Sequence, residues 1–157
     1  MIWLTQQTFD RLNAELEHLR GPARAEVIER ISSARDEGDL KENGAYHAAK
    51  DEQGKMEGRI RQLEEMLGQV TTAPSPDDHT VSAGKVVTYR FAGDDEEKFL
   101  LGAREIAEDH IDIEVYSPQS PLGAALVGAK AGETVDFEQP NGKVAKIEIV
   151  SAVPYAG

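Results

Sequence analysis

A chain of 157 residues with 39% hydrophobic content suits one or two small domains with modest cores. Acids outnumber bases by 29 to 17, and a net charge of -12 argues against broad adhesion to nucleic acid, whose affinity comes largely from neutralising phosphates. The absence of cysteine excludes disulfides, thiol catalysis and cysteine-ligated zinc. No segment approaches the roughly 18 consecutive apolar residues of a membrane span, and "MIWLTQQTFD" lacks a signal-peptide pattern, so a cytoplasmic protein is expected.

In chain order, Phe9, Leu12, Leu16 and Leu19 follow steps of three and four residues, the period of an amphipathic helix. "GP" at Gly21 and Pro22 predicts a kink or break, since Gly and Pro cost about 1 and about 3 kcal/mol in a helix interior. Val27, Ile28 and Ile31 resume the stripe, and Ala45, Ala49, Met56, Ile60, Leu63, Leu67 and Val70 make a second one. Each apolar seam needs a partner, so the two stripes predict an antiparallel coiled-coil hairpin, whose arms of about 25 to 30 residues would reach roughly 40 to 45 Å. Ten of the 17 bases lie in residues 1–70, where the acids number 14.

Helical periodicity stops before "TTAPSPDDHT", residues 71–80, which has the composition of a linker. Five short runs then read as strands: "GKVVTYRF", "EKFLLGA", "IDIEVY", "ETVDF" and "KVAKIEIV". One helix interrupts them, with Ser120 as N-cap and Pro121 in its first position. The predicted class is α+β, an N-terminal antiparallel helical hairpin followed by a small antiparallel sheet domain with one short helix. The division is into residues 1–73, a linker at 74–82 and a second domain at 83–157.

Between the two stripes stands "RDEGDLKENGAYHAAKDEQ", residues 35–53. Asp39 and Glu42 fit a capping box at the start of the second arm. Asn43 before Gly44 is an equally good cap, which would leave both acids free to act as hard oxygen ligands for Mg²⁺. Two carboxylates alone hold Mg²⁺ weakly, so further oxygens would have to come from another macromolecule. The four histidines are dispersed, with no zinc-site spacing; His47, near the tip, reads as helix-surface packing.

"SARDEGDLKENGAYHAAKDEQ", together with the "WLT" opening and "SPQSPLGAALVGAKAGETV", resembles the bacterial Gre transcript cleavage (elongation) factors across nearly the whole chain. The resemblance implies a factor that is not itself an enzyme. Its second domain, FKBP-like in fold, would bind RNA polymerase at the rim of the secondary channel, and the hairpin would enter that channel. Asp39 and Glu42 match the tip acids that help hold the second Mg²⁺ and its water, stimulating the polymerase to hydrolyse the 3′ end of backtracked nascent RNA. Arg35 and Lys50 match a basic patch that contacts the RNA, and Ser120 and Pro121 match a polymerase-contacting segment. No small organic cofactor is implied, and a monomer is expected. Two other readings remain: a non-catalytic channel binder that modulates polymerase, which the intact Asp39 and Glu42 disfavour, and a prolyl isomerase or chaperone suggested by the fold, which the lack of Trp in residues 81–157 disfavours.

Overall fold

The computed structural model describes residues 1–38 and 43–156 and divides into two compact units, Met1–Thr8 with Val70–Gly157, and Phe9–Gln69. This departs from the division into 1–73, 74–82 and 83–157 in two respects. The first eight residues group with the C-terminal sheet, and the Pro-rich stretch is tied down there too. Trp3 Nε1 donates to the Ala73 carbonyl at 2.9 Å, Thr80 bridges Lys130, and Val81 is buried in the sheet core.

The helical unit is built from α1 (Gln6–His18), α2 (Arg24–Arg35) and α3 (Gly44–Leu67). Gly21 and Pro22 do not break the first arm. Leu19–Ala23 form a π turn, in which the Arg24 N–H reaches back five residues to the Leu19 carbonyl. The wider turn accommodates a proline that can neither donate a hydrogen bond nor fit under a regular α turn. Leu12, Leu16, Val27, Ile31 and Ala34 on one arm, and Ala49, Met56, Ile60 and Leu63 on the other, are buried. Ile28, which the stripe included, is 51% exposed. Cross-arm ion pairs Arg59–Glu15, Arg24–Glu57 and Arg30–Glu52 climb one arm while descending the other, which makes the hairpin antiparallel.

Val70 leaves the helical stripe for β2 (Val70–Thr71), which pairs in parallel with β1 (Ile2–Trp3). The main sheet has the order β5-β4-β3-β7-β6, formed by β3 (Lys85–Phe91), β4 (Glu97–Leu101), β5 (Glu114–Tyr116), β6 (Thr134–Glu138) and β7 (Val144–Pro154). It is mixed rather than wholly antiparallel: β4 and β5 run in parallel. The chain between them, with a 3₁₀ segment at Arg104–Asp109, has the dozen residues that a parallel crossover needs. A bulge in β7 opposite Thr88 and Tyr89 changes the alternation, so Ile147, Ile149 and then Ala152 all face the core. The short helix α4 (Pro121–Leu126) places Leu126 against this face with Val87, Phe99 and Leu101.

Candidate functional site at the hairpin tip

Asn43 settles the choice of cap. It sits in extended backbone before α3, its Oδ1 accepts the Tyr46 N–H at 3.0 Å, and its Nδ2 donates to the Ala34 carbonyl at 2.5 Å. One side chain therefore both starts α3 and fastens it to the end of α2. The capping duty that Asp39 and Glu42 were equally suited to is filled by Asn43. Asp39 and Glu42 lie outside the described residues.

Below the tip the cations fall into two groups. On the arms, Arg24 makes a two-pronged pair with Glu57 at 2.7 and 2.9 Å, Arg30 reaches Glu52 at 2.8 Å, and Arg59 grips Glu15 at 2.7 and 2.9 Å. Their guanidinium hydrogen bonds hold the Glu57, Glu52 and Glu15 carboxyls below the usual carboxylate range. Lys55 pairs with Asp51, and Arg20 with Glu17. Arg35 and Lys50 differ. Among the described residues neither has a carboxylate within ion-pair distance; Arg35 lies with its Cζ 6.0 Å from the Tyr46 ring centroid, and Lys50 Nζ donates to Gln53 Oε1 at 3.1 Å. Both are exposed, on opposite arms, where a polyanion can reach them.

Tyr46 is a further tip residue, one that no motif in the sequence marks. It is half-buried, and His47, exposed, meets it edge to face at 5.5 Å between ring centroids. An aromatic three residues after a cap was the available signal. Among the described residues no group of three or more His, Asp or Glu side chains is arranged to hold a metal. The chemistry of the tip donors fits Mg²⁺ in kind, since Asp39 and Glu42 offer hard oxygens, but as a pair they require oxygens from elsewhere.

In the sheet unit, Ser120 caps α4: its Oγ accepts the Gly123 N–H at 3.1 Å and donates to the Ser117 carbonyl at 2.7 Å. Pro121 follows, exposed, in the first turn. The segment is thus a rigid turn with a proline on its surface. Elsewhere on this unit an open cleft of 580 Å³ is lined by Phe91, Phe137, Pro140, Ala145 and Lys146 among others. Tyr89, whose hydroxyl donates to Glu97 at 2.8 Å, is held neutral by burial first and by that carboxylate second.

Residues 2–71 match the family described as "Transcription elongation factor, N-terminal", and residues 76–154 match "Transcription elongation factor, GreA/GreB, C-term". The chain belongs to the GreA/GreB family of transcription elongation factors. It is 52% identical to the transcription elongation factor GreA of Streptomyces avermitilis, over 99% of this chain and 94% of that one. It is 46% identical to the GreA of Mycobacterium tuberculosis, again covering 98% and 94%. Among solved structures, GreA factor homolog 1 of Thermus thermophilus aligns over 96% of this chain and 97% of that one, with 22% identity and a TM-score of 0.43. For this GreA/GreB chain, no helix among the described residues is long and apolar enough to cross a membrane.

Proposed function

We propose that this factor binds RNA polymerase, inserts its hairpin through the secondary channel and stimulates Mg²⁺-dependent cleavage of the 3′ end of backtracked RNA, rescuing arrested complexes. The observation that carries the reading is Asn43: it caps α3 and pins it to Ala34, so the cap of this helix does not call on the Asp-x-x-Glu pair at 39 and 42. Asp39 and Glu42 would hold Mg²⁺ together with carboxylates of the polymerase. Bound there, the ion supplies charge stabilisation and a more acidic water for phosphodiester hydrolysis. The factor by itself is then no nuclease, because its half of the site is incomplete.

Arg35 and Lys50 would orient the RNA. Among the described residues Arg35 meets a ring and Lys50 an amide rather than a carboxylate, which suits contact with phosphates, although Lys50 lacks the fork with which an arginine grips one. Ser120 and Pro121 would contact the polymerase rim through the preformed turn, Pro121 offering the exposed surface while the Ser120 hydroxyl stays engaged in the cap.

The test is RNA cleavage in stalled, backtracked elongation complexes with Mg²⁺, comparing the intact factor with the Asp39→Ala plus Glu42→Ala protein and with a control lacking polymerase. Cleavage that requires both polymerase and the acids is expected. Tight binding without acid-dependent cleavage would sink the proposal and favour a non-catalytic channel regulator.

A further inference from the structure

We infer that Tyr46 is a positioning residue whose ring holds the Arg35 guanidinium for a phosphate of the RNA. The inference rests on the RNA-contact reading of Arg35 given above and assigns the group that makes that contact possible.

An arginine at the end of a helix has a long, freely rotating side chain, and ordering it on binding costs free energy. On the arms the problem is solved with carboxylates, as in Arg24–Glu57 and Arg59–Glu15, at the expense of the positive charge. Acids are near Arg35 in sequence: Asp36 and Glu37 follow it directly, both exposed. Yet among the described residues the group that meets Arg35 is an aromatic ring, 6.0 Å from the guanidinium carbon. A ring face attracts the cation through its quadrupole and does not neutralise it. A guanidinium held against a ring can still turn its N–H edge to paired hydrogen bonds with a phosphate.

Tyr46 is itself well fixed. Asn43 Oδ1 accepts the Tyr46 backbone N–H, while Asn43 Nδ2 bonds to the carbonyl of Ala34, the residue before Arg35. The same amide therefore ties the backbone of the cation to the backbone of the ring across the two arms. His47 meets the Tyr46 ring edge to face, at an interplanar angle of 71°. A closed frame of Ala34, Arg35, Asn43 and Tyr46 results.

The experiment measures affinity for backtracked elongation complexes at several KCl concentrations, in the Asp39→Ala plus Glu42→Ala background so that cleavage does not consume the RNA. Arg35→Ala is expected to weaken binding and to lower the slope of log affinity against log salt by about 0.7, one phosphate on a single strand. Tyr46→Leu is expected to reproduce both effects, weakening binding by about threefold or more, and to add nothing when combined with Arg35→Ala. Tyr46→Phe keeps the ring and is expected to behave as the parent. Thermal unfolding of each variant separates a damaged hairpin from a lost contact. An unchanged salt slope in Tyr46→Leu, or an equal loss of affinity with and without Arg35, would overturn the inference, as would an Arg35→Ala protein with the parental slope. Failure of the metal reading shows separately, as cleavage that survives loss of the acids.

Discussion

At Ser120 the hydroxyl accepts from Gly123 and donates to Ser117, so the conformation of the proposed polymerase contact is set before any partner arrives. The glycine is as necessary as the serine. A Cβ built at Gly123 would stand 2.1 Å from the Ser117 carbonyl oxygen and 2.8 Å from Ser120 Oγ. Gly123→Ala is therefore expected to open the 117–123 turn and to destabilise the sheet unit by about 3 kcal/mol. Ser120→Ala, which loses the cap and the bond to the Ser117 carbonyl but introduces no clash, is expected to cost less, about 1 kcal/mol. Urea titrations of the two variants check the order, and equal stabilities would refute the steric account. The N-cap and the proline after it were legible in "QSPLG", since capping is a local matter of residue type. That Gly123 is pressed against a carbonyl was not, because the contact depends on how the preceding turn folds back.

At the scale of elements, the ladder of Arg–Glu pairs makes the hairpin sensitive to acid. Glu15, Glu52 and Glu57 have folded values below their ordinary 4.5, each chiefly through the hydrogen bond from its arginine. A lowered folded value means that the stabilisation is complete above the unfolded value and disappears as pH falls through the folded one. The helical signal of the hairpin is expected to melt at a constant temperature between about pH 5.5 and 7, and at lower temperatures below about pH 4.5. A protein carrying Glu52→Gln and Glu57→Gln should show a shallower fall, and an unaltered fall would remove these pairs as the cause. The stripes of apolar residues were visible in the sequence because period 3.6 is written directly into residue order. The π turn at Gly21 and Pro22 was not: propensity forecasts that a proline disrupts a helix, whereas packing on both sides decided that the chain widen by one residue and continue.

For the molecule as a whole, the first residues matter most where the sequence is most distant. Trp3, only 9% exposed, has its Nε1 bonded to Ala73 and its ring edge-on to Tyr155, and a Cβ at Gly84 would stand 2.9 Å from its indole. Gly84, at φ +92, supplies a conformation that L residues rarely adopt in addition to the space. Trp3→Ala is expected to destabilise the sheet unit by about 3 kcal/mol while leaving the far-ultraviolet helical signal of the folded protein unchanged, as denaturant unfolding followed by circular dichroism would report. A variant as stable as the parent would mean that the N-terminal strand is dispensable. By itself the sequence determined the helical hairpin, most of the strands, the Ser120 cap and the family, since these rest on local periodicity, capping chemistry and a long run of matching residues. Tertiary structure alone decided that Asn43 rather than Asp39 starts the second arm, that Tyr46 meets Arg35, that β4 and β5 run in parallel, and that Met1–Thr8 belongs to the sheet-bearing unit. Each of these is a choice between alternatives that residue type leaves equivalent: contacts across the hairpin turn decide the first two, and contacts between residues far apart in the chain decide the others.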